Sequence, residues 1–407
     1  MNFILYLISM GTSTIGSHMQ TVIIPIYILN VTGSGLAMSK AATYFTLIRL
    51  LLTPLGGIVA DKFNRKQIMI LTDLINAMLV GGFALFINLT PNAIILMQCI
   101  VLTMSTFFDS ACSAIFSEIT SEDNLEKENS IFRSMQDFIM LFTPILAVTL
   151  YGFVGLKFIF LLNSITYLMS AGVEFCLKYK PANTHNKKIT LSPKAMWDSY
   201  VPVTEFLRSK SDIFGLMSFG VLLNLFFVPI FSVFIPYFIL NVLNLSNQYV
   251  GYFQSLMGLG FLLGSLLMVK YIKRYNFRRG IAFFITAEIV IFTFFFGGNR
   301  ILPFNIYLTI TCLLASIFGI FNSAVNAPLS SHLHTTVDTE IKGRFFSILQ
   351  VSMQGFTPIG LMIMGLAIDK YNDISVGIVA VGLMYILAVF YYFHMTKPGK
   401  LYITAEA

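Results

Sequence analysis

Long apolar runs, each ended by charged residues or by Asn, Gly and Pro, recur along the chain. The hydrocarbon core of a bilayer is about 30 Å thick, and a helix of about 20 apolar residues crosses it. Runs of that length predict twelve membrane-spanning helices, over residues 3–29, 37–60, 68–87, 92–115, 131–153, 157–177, 213–240, 247–269, 280–297, 304–328, 345–368 and 374–395. The first run is read as a span rather than a cleaved leader, because Met1 and Asn2 supply no basic residue ahead of it and its middle is polar. In that middle, Ser13, Ser17, Gln20 and Thr21 share one helical face, with His18 at its margin.

Composition turns the pattern into a membrane assignment. Hydrophobic residues fill 56% of the 407 positions and charged ones 11%, too little polar surface to cover a soluble domain of this length. The apolar excess, including 40 phenylalanines, must face lipid. A formal charge of +7 does not point to nucleic acid, because the cations are confined to short segments between apolar runs. Lys62, Arg65 and Lys66, seven cations between Lys178 and Lys210, and Lys270, Lys273, Arg274, Arg278 and Arg279 all fall in even-numbered loops. The odd-numbered loops hold Lys40, Lys157, Arg300 and Lys370. With positive charge retained inside, both termini are expected in the cytoplasm. Cys99, Cys112, Cys176 and Cys312 show no CxxC or Cys/His spacing, so no disulfide framework, metal site or cofactor is expected.

The polar stretch around PANTHNKK divides the spans six and six. It predicts an N-terminal bundle over 1–177, a cytoplasmic linker over 178–212, a C-terminal bundle over 213–396 and a cytoplasmic tail over 397–407. The halves repeat one another. Ile24-Pro25 through Ile28-Leu29-Asn30-Val31 returns 211 positions later as Ile235-Pro236 through Ile239-Leu240-Asn241-Val242. Phe132, Gln136 and Phe142-Thr143-Pro144-Ile145 return 214 positions later as Phe346, Gln350 and Phe356-Thr357-Pro358-Ile359. Two matches at almost one offset in equivalent spans predict an all-α membrane fold of two pseudo-symmetric six-helix bundles, an architecture of alternating-access transporters.

Between spans two and three stands Gly57-Ile58-Val59-Ala60-Asp61-Lys62-Phe63-Asn64-Arg65-Lys66. It resembles the loop signature of the major facilitator superfamily, G-x-L-A-D-R-x-G-R-K, with Val59, Lys62 and Asn64 as its departures. Asn tolerates a left-handed backbone, so a tight turn at 64 is expected to persist. Asp73-Leu74-Ile75-Asn76-Ala77, Phe107-Phe108-Asp109-Ser110-Ala111, Ser117-Glu118-Ile119, Asn124-Leu125 and Asn129-Ser130 are similar to the branch with bacterial macrolide-efflux and enterobactin-exporter proteins. Exporters of the superfamily often carry Gly-Pro in span five, where this chain has Thr143-Pro144-Ile145-Leu146-Ala147. The resemblance implies that Gly57, Asp61, Arg65 and Lys66 form a latch holding the halves closed on the cytoplasmic side. Asp61 ends a helix, where the dipole disfavours an anion, and its candidate partners are Arg65, Arg133 and the start of span eleven around Gly343 and Arg344. The competing reading is a purely topogenic basic loop, which accounts for the cations and not for Asp61.

Arginine at bilayer depth costs about 2.5–3.5 kcal/mol, so Arg49, mid-span, should face a cavity or an anion. Asp109 in span four and Asp137 in span five are its candidate partners and, with His18, the candidates for proton coupling. Asp73 and Glu174 fall nearer the interface, and Glu288 stands alone in span nine. By the resemblance, spans one, four, seven and ten line a central cavity, which nominates Ser13, Ser17, Gln20, Thr21, Gln98, Asn224, Asn322 and Asn326; a hydrogen bond to backbone or a neighbouring helix is the competing role for each. No Gly-rich phosphate loop with Lys-Ser/Thr and no HExxH or GxSxG motif is present, which argues against ATP as the energy source and against a membrane enzyme. A six-plus-six duplication argues against a passive channel. The expected function is secondary active transport across a bacterial plasma membrane, with proton-coupled efflux of an amphipathic or hydrophobic small molecule foremost and lipid flipping or import as alternatives, performed by a monomer.

Overall fold

The computed structural model describes residues 2–120, 124–179, 193–271, 291–292, 294–295, 301–337, 341–371 and 375–395. Helices α1 (Asn2–Thr32), α2 (Gly35–Lys62), α3 (Arg65–Phe86), α4 (Pro91–Ile119) and α5 (Leu125–Phe175) are followed by α6 (Pro193–Ser209), α7 (Ser211–Pro229), α8 (Asn247–Tyr271), α9 (Phe304–Thr336), α10 (Lys342–Gly355), α11 (Thr357–Tyr371) and α12 (Ser375–Met395). Every expected span except the ninth, most of which lies outside the described residues, falls on these helices. Among the described residues, eight helices are long and apolar enough to cross a membrane.

Side-chain caps set the breaks. Gly33 ends α1 at φ 64°, its amide donating to the Leu29 carbonyl at 2.8 Å. Ser34 Oγ accepts from the Ala37 amide at 3.0 Å to start α2, and Thr90 Oγ1 with Pro91 behind it starts α4. Asn64 corrects the expectation of a left-handed turn: its backbone is extended at φ −65°, ψ 112°, because its side chain accepts from the Gln67 amide at 3.3 Å and caps α3. Spans five and six run together as α5, bent at Gly155 with φ 76° and ψ 177°. Span seven continues beyond α7 through the π-turns Ile230–Phe234 and Phe238–Val242 around Ile235–Tyr237. Span eleven is divided into α10 and α11 just ahead of Pro358, which has no amide hydrogen to continue the ladder.

The chain forms two compact units, Met1–Lys188 with Asn244–Gly251, and Ile189–Leu243 with Tyr252–Ala407. In the first, α1 and α3 pack on α5, and α2 and α3 pack on α4. Helix α3 shows a membrane protein's distribution: Leu71, Met78 and Leu85, seven residues apart, are exposed, whereas Asp73, Asn76, Ala77, Val80 and Ala84 are buried. Small residues bring the helices close. A Cβ on Gly16 would lie 2.2 Å from Asn163 Oδ1, and one on Gly56 would lie 3.0 Å from the Thr106 carbonyl of α4. In the second unit α7 contacts α10, α11 and α12, and α8 meets α9 where a Cβ on Gly260 would fall on the Ser316 carbonyl. The Ser316 hydroxyl donates across that contact to Leu256 at 2.9 Å. Helix α6 lays Val203, Phe206 and Leu207 against Ile213, Met217, Leu333, Val337, Ile341 and Phe345.

Candidate functional site

The first unit holds a cavity of about 430 Å³. Helical spacing delivers its polar lining: Ser13, Ser17 and His18 from α1, and Ser105 and Asp109, one turn apart, from α4. Helix α2 contributes Arg49, and the two arms of α5 contribute Gln136 and Tyr167. Phe108, Phe116 and Phe132 supply an aromatic wall. Ser17 is fixed by hydrogen bonds to the Ser13 carbonyl at 2.7 Å and the Tyr167 hydroxyl at 2.9 Å. Arg49 and Asp109 are both solvent-accessible and act on each other electrostatically, yet they form no ion pair within 4 Å. A cation and an anion facing one cavity without closing on each other can each meet a ligand or a proton.

The other nominated residues have different surroundings. Gln20 and Gln98 are buried in an amide chain, with Gln20 Nε2 donating to Gln98 Oε1 at 2.6 Å and Asn163 Nδ2 donating to Gln20 Oε1 at 2.5 Å. That chain ties α1, α4 and α5 together and lies outside the cavity lining. Thr21 is exposed and donates to the Ser17 carbonyl. Asp137 is exposed and outside the lining, where its chain neighbour Gln136 takes part, a register difference of one helical position. In the second unit Asn224 Nδ2 donates to Gly220, and Thr357 reaches Asn224 Oδ1 at 3.5 Å, joining α7 to α11. Asn322 is half-buried on α9; the Asn326 side chain and Glu288 lie outside the described residues.

At one end of the first unit the loop signature forms a charge cluster. Arg65 pairs with Asp61 at 3.7 Å, forms a closer ion pair with Glu118, and donates through Nε to the Ala60 carbonyl at 3.1 Å. The Tyr179 hydroxyl donates to Glu118 Oε2 at 2.6 Å. Burial, with the Glu118 carboxylate beside it, pushes that hydroxyl up to about 12, so it stays a donor at physiological pH. Lys66 Nζ closes the cluster onto the end of α5 through the carbonyls of Phe175 at 2.9 Å and Leu177 at 2.7 Å. Gly57 has open space around it, and the close approach to α4 is made by Gly56.

The sequence pattern does not mark Glu118 as Arg65's partner, Asn163 as the hub of the amide chain, or Asp73 as a cavity residue. Asp73 is 1% exposed, although it follows Arg65 by little more than two helical turns. Its signal was the buried stripe it shares with Asn76, Ala77 and Val80.

The family model of the Major Facilitator Superfamily matches the chain over residues 3–229 and 217–406. Among relatives, the macrolide efflux protein A of Streptococcus pyogenes is 24% identical over 88% of this chain and 87% of its own. The uncharacterised MFS-type transporter YvqJ of Bacillus subtilis is 23% identical over 86% of this chain and 80% of its own. Among solved structures, a point mutant of the nucleoside transporter NupG superposes with a TM-score of 0.74 at 16% identity, covering 97% of this chain and 99% of that one.

Proposed function

The chain belongs to the major facilitator superfamily, a multi-pass membrane transporter and not an enzyme, and we propose that it is a proton-coupled exporter of an amphipathic or hydrophobic small molecule. It works as a monomer by alternating access in a bacterial cell membrane. The observation that carries the reading is the cavity in which Arg49 and Asp109 face each other unpaired beside Phe108, Phe116 and Phe132. The aromatic wall suits an apolar body, and Arg49 suits an anionic or strongly dipolar group on it. Asp109 is the coupling acid: a carboxylate open to the cavity takes up a proton when substrate leaves and gives it up when substrate enters. Resemblance to the macrolide efflux protein supports the outward direction and names macrolides as the first substrates to try.

A thermal-shift screen of the purified protein against macrolides, other amphipathic drugs, siderophores and lysolipids finds ligands, since one at a hundred times its dissociation constant adds about 2.7 kcal/mol to stability. Proteoliposomes with an imposed pH gradient and an internal pH indicator then test the coupling. Asp109→Asn is expected to abolish uphill transport and keep ligand binding, whereas Arg49→Ala impairs both. Substrate-dependent proton flux in Asp109→Asn equal to wild type overturns the assignment of Asp109. No such flux in wild type with any verified ligand overturns proton antiport, and a shift by lysolipids alone favours a flippase.

A further inference from the structure

At the end of the first unit that carries Arg65 and Lys66, two acids unused in the transport reading are packed together. Asp73 of α3 lines the cavity while 1% exposed, and Glu174, one residue from the end of α5, is fully buried at 0%. Ser170 joins them. Its hydroxyl lies 3.2 Å from Glu174 Oε1 and 3.1 Å from the Ser9 carbonyl, and it is near enough to act on Asp73 as well. A serine hydroxyl has one hydrogen to give, so the Ser9 carbonyl and the Glu174 carboxylate compete for a single donor. Asp73 Oδ2 and Glu174 Oε2 are left buried with no hydrogen-bond partner, and Asn76, one turn along α3, pairs with neither of them.

Among the described residues, no cation offsets the two acids. Helix α4 turns Asp109 and Cys112 toward them, α5 adds Tyr167, and α1 adds the Ser9 carbonyl and Tyr6, whose hydroxyl is directed at the Cys112 carbonyl. Arg49 of α2 acts on Asp109 and His18, and Lys66 is engaged by the carbonyls of Phe175 and Leu177. Two buried carboxylates without a counter-charge are costly as a doubly ionised pair. One added proton removes half of that charge and turns a carboxyl oxygen into the donor that the unpaired oxygens lack.

We propose that Asp73 and Glu174 hold one proton between them and pass it between the cavity and the Lys66 end of the bundle, as a second acid site in series with Asp109. The proposal rests on the proton-coupled reading of the cavity. The order of exposure supplies the route: Asp109 stands open in the cavity, Asp73 is in its wall, and Glu174 lies next to Phe175, whose carbonyl accepts from Lys66.

Infrared difference spectroscopy of the reconstituted protein reads the site without needing a substrate, through the C=O stretch of a protonated carboxyl. In potassium buffer at neutral pH, wild type and Asp109→Asn are expected to show the band, and Asp73→Asn/Glu174→Gln to lack it. Ser170→Ala keeps both acids and is expected to shift the band by removing its hydrogen-bond partner, which covers the case of a double variant that fails to fold. Absence of the band in wild type, its persistence in the double variant, an unmoved band in Ser170→Ala, or its loss on replacing potassium by sodium would each overturn the proposal. In proteoliposomes, Glu174→Gln is expected to collapse uphill accumulation to equilibrium while downhill exchange continues; normal uphill accumulation overturns the relay. Should wild type show no pH-driven transport, the coupled-exporter reading falls, and the infrared band still decides whether the pair holds a proton.

Discussion

At Gly155 the backbone takes φ 76° and ψ 177°, a region that side chains other than hydrogen rarely allow, and a Cβ built there meets nothing within 4 Å. The cost of Gly155→Ala is therefore conformational, about 1–3 kcal/mol. Gly152 has the same open space with an ordinary helical backbone, so Gly152→Ala is expected to hold stability or raise it by roughly 0.5–1 kcal/mol. Thermal unfolding of both variants in one detergent checks this; equal midpoints would remove Gly155 as the element that turns span five into span six. Single residues were the least legible scale. Asn64 was recognised as a turn residue, but its type fits both a left-handed backbone and a helix cap, and only the Gln67 amide decides between them. The loop signature drew attention to Gly57, whereas the glycine under steric pressure is Gly56, because which of two adjacent glycines faces α4 depends on a helical phase that one loop does not reveal. Arg49, Asp109, Ser13, Ser17 and His18 were nominated by their polarity inside apolar runs and share one cavity, since a charge in a span has few other places to go.

Elements were more legible, because twenty-residue apolar runs admit few structures in a bilayer. Breaks within a run were not: the π-turns around Pro236 and the division at Gly355 leave no change in hydropathy. Helix α6 is hidden inside a polar stretch, although Val203, Phe206 and Leu207 have the spacing of one helical face, and Val203 is fully buried on the second unit. The loop cluster carries a prediction at this scale. Asp61 is 60% exposed in its pair with Arg65, whereas Glu118 is 24% exposed in the closer pair and holds Tyr179 as well. An exposed pair is worth about 0.2–1 kcal/mol. Asp61→Asn is thus expected to leave unfolding and expression nearly unchanged, and Glu118→Gln to destabilise the protein more. If Asp61 also acts as the latch, Asp61→Asn reduces transport and shifts distances between labels on the two halves toward an open state. Normal transport with unchanged distances would return this loop to a topogenic role.

For the whole molecule, the sequence pattern groups loops by charge and the structure groups their ends in space. Asn2 and Lys178 are joined in both directions, Asn2 Nδ2 donating to the Lys178 carbonyl at 2.7 Å and the Lys178 amide donating to Asn2 Oδ1 at 3.3 Å. Lys66 bonds to the carbonyls of Phe175 and Leu177, and Arg65 bonds to Glu118 at the end of α4. The start of the chain and the ends of spans two, four and six therefore share one end of the first unit, the end that carries Lys62, Arg65 and Lys66. Retention of cations in the cytoplasm predicts that end, and with it the N-terminus and the segment from Pro181 to Lys210, on the inside. In a background lacking Cys99, Cys112, Cys176 and Cys312, an impermeant thiol reagent added to intact cells should leave Asn2→Cys and Lys187→Cys unlabelled and should label both after permeabilisation. Labelling of both from outside would invert the whole molecule. Labelling of one alone would put the two positions on opposite faces of the membrane. Inversion would also reverse the direction in which Asp109 must release its proton, so this experiment comes before any assignment of efflux from a gradient.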